Sequence, residues 1–359
     1  MNPISPATKT HFRKASERGM VFRTLISVAT ACCIAILSTV FADPARADEP
    51  VRIRQAYTIP VIHWASILFA KPGLARHFGH SYVMEPIRFK GSPQALTALA
   101  ADEIEVGLLA YSTLAFAIDH AGMKDLRIIA GEFEDGFQDY YSAQFFVLKN
   151  GPIQTVDDLK GKVIATNGAG SAIDIAIRAM LRLHNLDPKK DVAFVEAAIP
   201  NMFPMLTSRK VDLIYGARTL AADPAAQQSA RVLFTQKDAM GTVQMNVWAL
   251  RQGFIDKHRA ALVDYMEDAL RAERWFLDPA NRQEVVAIAA KVGKAPAAYF
   301  DSWLFTKKDQ YHNPDMAVDA DALQRSMTLM TDLGYVKSRI DVRKYLDKSI
   351  VAEASGRLR

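Results

Sequence analysis

Short apolar runs alternate with amphipathic stretches from residue 51 onward, a pattern typical of layered α/β folds. In the first half, β-type runs predict mostly parallel strands at residues 51–58, 82–90, 104–109 and 126–133. Helices are predicted between them, at about residues 64–70, 93–101 and 112–121. Because Ser92 precedes Pro93, and proline is favoured in the first helical turn, we expect Ser92 to cap the second of these helices.

A second series of the same kind begins near Gly151. It predicts strands at residues 162–166, 192–195 and 211–215, and helices at residues 171–183 and 202–208. Ile173, Ile177 and Met180 fall on one face of the first of these helices, as expected for a helix that packs on a sheet.

Two further β-type segments, residues 142–148 and 243–250, bracket this second series, and long amphipathic helices are predicted beyond them at about residues 254–276 and 282–292. This order predicts two lobes joined by two crossing strands. The predicted parts are the first lobe, the second lobe, and a return to the first lobe with C-terminal helices, at residues 48–148, 149–240 and 241–359. Two hinged lobes form a clamp that closes around a ligand in the cleft.

The N-terminal stretch has the three parts of a secretory signal peptide. Basic residues come first, an apolar run follows at about residues 25–41, and Ala45-Arg46-Ala47 forms a small-x-small cleavage pattern. We therefore expect export to the periplasm, with cleavage after Ala47. A single membrane anchor is the alternative, because the apolar run approaches spanning length.

Removal of residues 1–47 leaves a chain without cysteine, because Cys32 and Cys33 both lie in that stretch. A cysteine-free mature protein has no disulfide, no thiolate metal site and no cysteine nucleophile. Acylation at Cys32, as in a lipoprotein, is a minor alternative.

The predicted mature chain is close to neutral. The whole chain has 44 basic and 39 acidic side chains, of which six basic and two acidic ones precede residue 48, leaving 38 and 37. With no basic face, nucleic acid is not an expected partner.

Candidate ligand-binding residues follow the predicted strands, because ligands of open α/β sheets lie beyond the carboxyl ends of the strands. Most of them come directly after a strand or at a helix start, and an aromatic residue and a residue of the second crossing strand complete the set. The set is His63, Trp64, Gly91, Ser92, Tyr111, Ser112, Thr113, Tyr140, Gly168, Gly170, Ser171, Arg218 and Asn246.

The chemistry of this set suits an anion. Strand-to-helix turns such as residues 167–171 present backbone N–H groups and the positive end of a helix dipole, and a guanidinium such as Arg218 pairs with carboxylate or sulfonate. Structural alternatives remain open: Trp64 packs in the core, His63 makes a local hydrogen bond, or Arg218 pairs with Asp223.

Known catalytic and nucleotide-binding motifs are absent from the sequence. Ile173 stands where the dinucleotide fingerprint needs a third small residue, and there is no Gly-Lys-Ser/Thr, Gly-x-Ser-x-Gly or His-Glu-x-x-His. We expect no cofactor, no metal and no catalysis. The acidic segment 132–136 is predicted to be a solvated loop or hinge.

Several segments resemble the nitrate/sulfonate/taurine type of periplasmic solute-binding proteins of ABC importers. One is Gly91-Ser92-Pro93-Gln94-Ala95-Leu96, followed by Glu103-Ile104-Glu105-Val106-Gly107. Others are Val156-Asp157-Asp158-Leu159-Lys160-Gly161-Lys162, then Leu206-Thr207-Ser208-Arg209-Lys210-Val211-Asp212, and near the C-terminus Asp332-Leu333-Gly334-Tyr335-Val336.

This resemblance implies the type 2 periplasmic-binding-protein fold and a monomeric receptor that delivers a small molecule to a permease and an ATPase in the membrane. It also implies an anionic ligand such as a sulfonate, a carboxylate or a bare inorganic anion. The aromatic residues near the predicted cleft, among them Trp64 and Tyr111, make an organic acid with an apolar or aromatic body at least as good an expectation as an inorganic anion. Alternatives within the resemblance are a receptor for a thiamine-precursor pyrimidine, an enzyme on the same scaffold, and a sensor input.

Overall fold

The computed structural model of the protein describes residues 49–221 and 223–358. The predicted signal peptide, its cleavage after Ala47 and acylation at Cys32 lie outside the described residues.

Five strands and two helices form the first sheet layer. They are β1 Val51–Tyr57, β2 Tyr82–Arg88, α1 Ser92–Ala100, β3 Gly107–Ala110, α2 Tyr111–Asp119, β4 Leu126–Asp135 and β10 Val243–Arg251. β1 pairs with β2 in parallel, and a parallel bridge from Gln55 to Val106 connects β1 to the segment before β3. β10 lies between β3 and β4 and is antiparallel to both.

The second sheet layer repeats this plan between the two crossings. Its elements are β5 Gln144–Leu148, β6 Val163–Thr166, α3 Ala172–Leu183, β7 Ala193–Glu196, α4 Ile199–Thr207, β8 Ile214–Gly216, α5 Arg218–Ala221, α6 Pro224–Ser229, β9 Ala230–Thr235 and α7 Gln236–Met240. β6 and β7 are parallel, and β5 is antiparallel to both β8 and β9. We call the two layers the first and second lobes.

The C-terminal part returns to the first lobe as helices. They are α8 Gln252–Leu277, α9 Arg282–Gly293, α10 Ala297–Asp301, α11 Ala320–Asp332 and α12 Ser349–Arg357. Helix α8 is interrupted at His258, whose backbone is not helical. Four short 3-10 turns complete the part of the chain that the structure describes, at Trp64–Ser66, Asp157–Leu159, Pro279–Asn281 and Val342–Tyr345.

Residues 49–359 form one unit, and their buried apolar side chains fall into three clusters. The largest belongs mainly to the first lobe and includes Trp248 and Tyr265, both without solvent exposure. Two smaller clusters lie between residues 145 and 239, around Phe145 and Phe146. Each large apolar side chain buried in this way contributes about 1.5–3 kcal/mol, so most of the stability comes from these clusters.

The structure differs from the predicted strands, helices and loops in four places, apart from the helix cap described below. The sheets are mixed, because the crossing strands β5 and β10 pair antiparallel to their neighbours. The predicted helix at residues 64–70 is only the 3-10 turn Trp64–Ser66, and strand β9 was not predicted. The acidic segment continues strand β4 and is buried. Its carboxylates accept hydrogen bonds there: Glu132 from the backbone N–H of Trp64 and the indole N–H of Trp248, and Asp135 from the backbone N–H of Ala143.

In the part of the chain that the structure describes, no helix is both long enough and apolar enough to span a membrane.

Candidate functional site

Arg218 lies where three distant parts of the chain meet. It begins α5, directly after β8, and its guanidinium carbon lies 5.0 Å from the ring centre of Tyr141 and 5.4 Å from that of Trp303. Tyr141 belongs to the first crossing, and Trp303 follows α10 in the C-terminal part. Both distances are within the range of cation–π attraction, which holds the guanidinium between the two lobes.

Two buried polar groups at this place, Nε of Arg218 and the hydroxyl of Tyr141, have no hydrogen-bond partner among the described residues. The hydroxyl of Tyr299 and Nε1 of Trp303 form no well-aligned hydrogen bond either, but they lie close enough to interact with each other. More than nine in ten buried polar groups in proteins are paired, so the two unpaired donors indicate a position for an external acceptor. We call Tyr141, Arg218, Tyr299, Trp303 and the neighbouring Asp309 the Arg218 cluster.

Burial controls the charges of this cluster. It raises the pKa of Asp309 to about 7, although N–H groups of Phe305 and Gln310 at 2.9 Å, together with Arg218, favour the charged form. Burial also raises the pKa of Tyr141 and of Tyr299. The two hydroxyls therefore stay protonated at neutral pH and can donate hydrogen bonds.

A cavity of about 790 Å³ adjoins the cluster, because Tyr299 and Trp303 also line it. The loop after β1, the end of β2 and the connection from α9 to α10 supply its walls. The lining residues are Tyr57, Ile59, Pro60, Ile62, Ser66, Arg88, Val292, Gly293, Lys294, Ala295, Pro296, Tyr299, Phe300 and Trp303. Its volume is within the usual range for small-molecule sites.

The loop that follows β1 is held in a strained conformation. Val61 has a φ of 72°, which is rare for a β-branched residue, and its side chain is fully buried. His63 supports this loop: its Nδ1 accepts N–H groups from Thr58 at 3.1 Å and Ile59 at 3.0 Å. Burial lowers the pKa of His63 to about 3, so the ring is neutral, and it organises the cavity wall from behind.

Trp64 lies in the core of the first lobe. It is 0% exposed and packs against Phe305 and His312 at ring-centre distances of 5.1 and 4.9 Å. Trp64 therefore packs in the core, which was the alternative to ligand contact.

The first-lobe residues after β2 and β3 are tied together. Gly91 is the N-cap of α1, so the predicted capping by Ser92 is wrong. The Ser92 hydroxyl instead donates to the carbonyl of Leu108 and accepts the N–H of Ala110, both at 2.8 Å. Its hydrogen-bonding capacity is therefore used to join α1 to β3.

Helix α2 places its first residues at the boundary between the lobes. The Tyr111 hydroxyl donates to the carbonyl of Ala172 at 3.1 Å, across that boundary. Ser112 and Thr113 are buried beside it, and the Ser112 hydroxyl has no partner within residues 49–221 and 223–358. Of the three predicted residues of this helix, Ser112 is thus the one whose hydroxyl is shown to be unpaired.

The glycine turn between β6 and α3 has its amides occupied by the chain itself. The N–H of Ala169 donates to Glu196 at 2.9 Å, and that of Gly170 donates to Asp174 at 2.8 Å. The Ser171 hydroxyl donates to Asn167 and caps α3. Gly168 has open space around its Cα, but the amides expected to bind an anion already hold two carboxylates.

Tyr140 and Asn246 lie near the crossings. Tyr140 packs against Tyr311 at 5.1 Å and is partly exposed, and Asn246 is a buried residue of β10 that pairs with Ala110. Ligand contact by these residues, as by the rest of the predicted set, stays a prediction.

The predicted set does not include Tyr299, Trp303 and Asp309. They lie in a region predicted only as helical, and no strand end or helix start marks them. The close aromatic spacing Tyr299-Phe300 with Trp303 was the available signal, and it is equally typical of core packing.

One group of side chains has the geometry of a metal site. The ligand atoms of His77, Asp264 and Glu267 lie within 4.8 Å of one another. Arg357 lies 2.8 Å from Asp264, and Arg271 also pairs with Glu267. The arginines already compensate these carboxylates, so the arrangement is that of a surface ion-pair network, and absence of a metal stays a prediction.

Solved structures identify the class of fold. The periplasmic aliphatic sulphonate binding protein SsuA from Escherichia coli is similar with a TM-score of 0.62 and 21% identity, over 82% of this chain and 92% of SsuA. The periplasmic nitrate-binding protein NrtA from Synechocystis PCC 6803 has a TM-score of 0.65 and 15% identity, over 87% and 90%. The fold is that of periplasmic solute-binding proteins, which confirms the predicted fold class.

The sequence identifies the family. Residues 46–290 match the model of the NMT1-like family, and the chain belongs to this family. A comparison with curated protein sequences finds no significant match.

The same fold also carries an enzyme. The desulfurization enzyme DSZB is similar to this chain with a TM-score of 0.60 and 15% identity, over 86% of this chain and all of DSZB. The fold alone therefore does not separate receptors from enzymes.

Proposed function

We propose that this protein is a periplasmic solute-binding receptor of an ABC importer and that it captures an organic anion, a carboxylate or a sulfonate, between its two lobes. The observation that carries the proposal is the Arg218 cluster. A buried guanidinium nitrogen and the Tyr141 hydroxyl lack acceptors there, with the Tyr299 hydroxyl and the Trp303 indole N–H beside them, and an anionic head supplies the missing acceptors.

The relatives support the receptor role and its location. SsuA and NrtA are named as periplasmic binding proteins for a sulphonate and for nitrate. By extension, the proposed partners are the permease and ATPase of an importer, the protein is a monomer, and the N-terminal 47 residues are a signal peptide cleaved near Ala47. A lipid anchor at Cys32 is the lesser alternative.

The cluster also distinguishes between the alternatives. A thiamine-precursor pyrimidine carries amino groups that need acceptors, whereas four of the five groups described above donate. Both cysteines of this chain precede residue 48, so the predicted mature chain has no cysteine for an enzyme that depends on one. We therefore favour a receptor that does not catalyse a reaction.

The test is a calorimetric titration of the purified protein with sulfonates, carboxylates, nitrate and aminopyrimidines. We expect one-to-one binding of an organic anion and binding that is roughly 10- to 100-fold weaker in Arg218→Gln, since a hydrogen bond to a charged group is lost. Arg339→Gln removes an exposed positive charge elsewhere and serves as the matched control. Equal affinity of Arg218→Gln and the unaltered protein would show that the site is elsewhere.

A further inference from the structure

The cavity beside the Arg218 cluster has two chemically different parts. Most of its lining is apolar, from Ile59, Pro60 and Ile62 on one side to Val292 and Phe300 on the other. An inorganic anion would occupy only a small part of such a volume, which is typical of sites for drug-sized molecules. The cavity therefore fits an apolar body larger than the anionic head.

The charged residues of the lining have one sign. Arg88 and Lys294 are its only ionisable side chains besides the tyrosines, and both are exposed. Neither forms a salt bridge within the described part of the chain, and Arg88 makes a single hydrogen bond, from Nε to the carbonyl of Thr58 at 3.3 Å. No carboxylate of the lining balances these two charges, so the lining carries a net positive charge that favours an anion in the cavity.

The rings of Tyr299 and Trp303, which we call the aromatic wall, connect the cavity to Arg218. Trp303 is 1% exposed and contacts both the cavity and the guanidinium, and Tyr299 packs on it with ring centres 5.7 Å apart. The site thus combines a guanidinium with an unpaired Nε, two aromatic rings, an apolar cavity lining and two exposed cations.

From this combination we infer that the ligand is a dianion with an aryl or alkyl body. One carboxylate or sulfonate binds at the Arg218 cluster, and a second anionic group binds at Arg88 and Lys294. This inference rests on the proposed function and names the class of ligand for the same site. A monoanion of equal size would leave the second pair of cations without a partner.

Matched pairs of compounds test it by calorimetry: suberate with octanoate, terephthalate with 4-methylbenzoate, and biphenyl-4,4'-dicarboxylate with 4'-methylbiphenyl-4-carboxylate. In at least one pair we expect the dianion to bind about 5- to 30-fold more tightly than the monoanion, as two partly exposed charge pairs allow. The double variant Arg88→Gln/Lys294→Gln should remove this difference and leave the monoanion within about 3-fold of its affinity. Arg339→Gln/Lys344→Gln, which removes two exposed cations elsewhere, should keep the difference.

The outcomes separate the inference from the function. Equal affinity within every pair, a difference that survives in Arg88→Gln/Lys294→Gln, or no binding by any of the six compounds overturns the dianion inference. Binding of another organic anion that depends on Arg218 would still support the receptor. If dianions bind with the expected difference but Arg218→Gln has no effect, the position of the head is wrong and the proposed site fails with it.

Discussion

Asp309 is the residue of the Arg218 cluster through which we expect pH to affect ligand binding. Its carboxylate is buried in the Arg218 cluster, and its pKa is raised to about 7. When Asp309 is ionised, it competes with an anionic ligand for the field of Arg218, and when it is protonated this competition ends. A bound anion and a charged Asp309 therefore oppose each other.

The sign of the effect follows directly. Protonated Asp309 predominates below about pH 7, so affinity for a sulfonate, which stays ionised, should rise as pH falls from 8.5 to 5.5. Titrations across this range measure the change, and Asp309→Asn should make affinity nearly independent of pH. Affinity that falls with pH, or a pH dependence that persists in Asp309→Asn, would contradict this role for Asp309.

At the scale of elements, the glycine turn before α3 shows how closely the lobes meet. Gly170 has a φ of 74°, and a Cβ there would lie 2.8 Å from the Phe116 ring of α2. The Tyr335 hydroxyl, from the return to the first lobe, donates to Asp174 of α3 at 2.8 Å. The turn therefore acts as a contact between lobes, with its backbone held by Glu196 and Asp174.

Gly170→Ala should destabilise the protein. A left-handed backbone costs roughly 1–2 kcal/mol for alanine, and the crowded methyl group adds about 1–3 kcal/mol. Chemical denaturation measures the loss, with Gly253→Ala as the control, because Gly253 is helical with no atom within 4 Å of its added Cβ. The control should be neutral or slightly stabilising. A Gly170→Ala protein as stable as the control would remove the evidence for this close contact.

The order of strands and helices could be predicted from the sequence, because each depends on local apolar runs and turn residues. Nine of the ten strands were placed to within a few residues, as in β1 at Val51–Tyr57. The capping role given to Ser92 and the loop expected at Glu132 failed for a different reason: both side chains bind backbone groups that are distant in sequence, Leu108 and Trp64.

The site was harder to predict than the fold. Arg218 was predicted to bind ligand because it follows a strand, but Tyr141 and Trp303 reach it only through tertiary packing. The glycine turn had the local pattern of an anion site, yet carboxylates from its own lobe occupy its amides. A local sequence pattern can identify backbone N–H groups that could bind an anion. Whether a carboxylate of the protein already binds those groups depends on the tertiary structure.

At the scale of the whole molecule, buried acids and buried histidines act on stability in opposite directions. Burial raises the pKa of Glu132 and Glu134 to about 7 and that of Glu273 well above its usual value. It lowers the pKa of His63 to about 3 and of His312 to about 4. Because of the buried acids, the folded protein loses stability as pH rises above about 4.5, the pKa of a glutamate in the unfolded chain. Because of the buried histidines, it loses stability as pH falls below about 6.5, the pKa of a histidine in the unfolded chain.

Glu273 allows this to be tested, because it is fully buried, and the nearby indole N–H of Trp64 favours its charged form less than burial opposes it. Glu273→Gln keeps the shape and removes the titration. Its free energy of unfolding, relative to the unaltered protein, should increase from pH 5 to pH 8, by at most about 1.4 kcal/mol per pH unit. The exposed Glu103→Gln is the control. A difference that is constant with pH would mean that Glu273 is ionised in the folded protein.

The aromatic wall of the site is carried by a short stretch of chain, Tyr299 to Trp303, that belongs to neither sheet. The strands and their connecting turns can therefore stay unaltered while this stretch changes in size and polarity. Exchange of that one segment between relatives would be a compact route to new selectivity, leaving both sheets as they are.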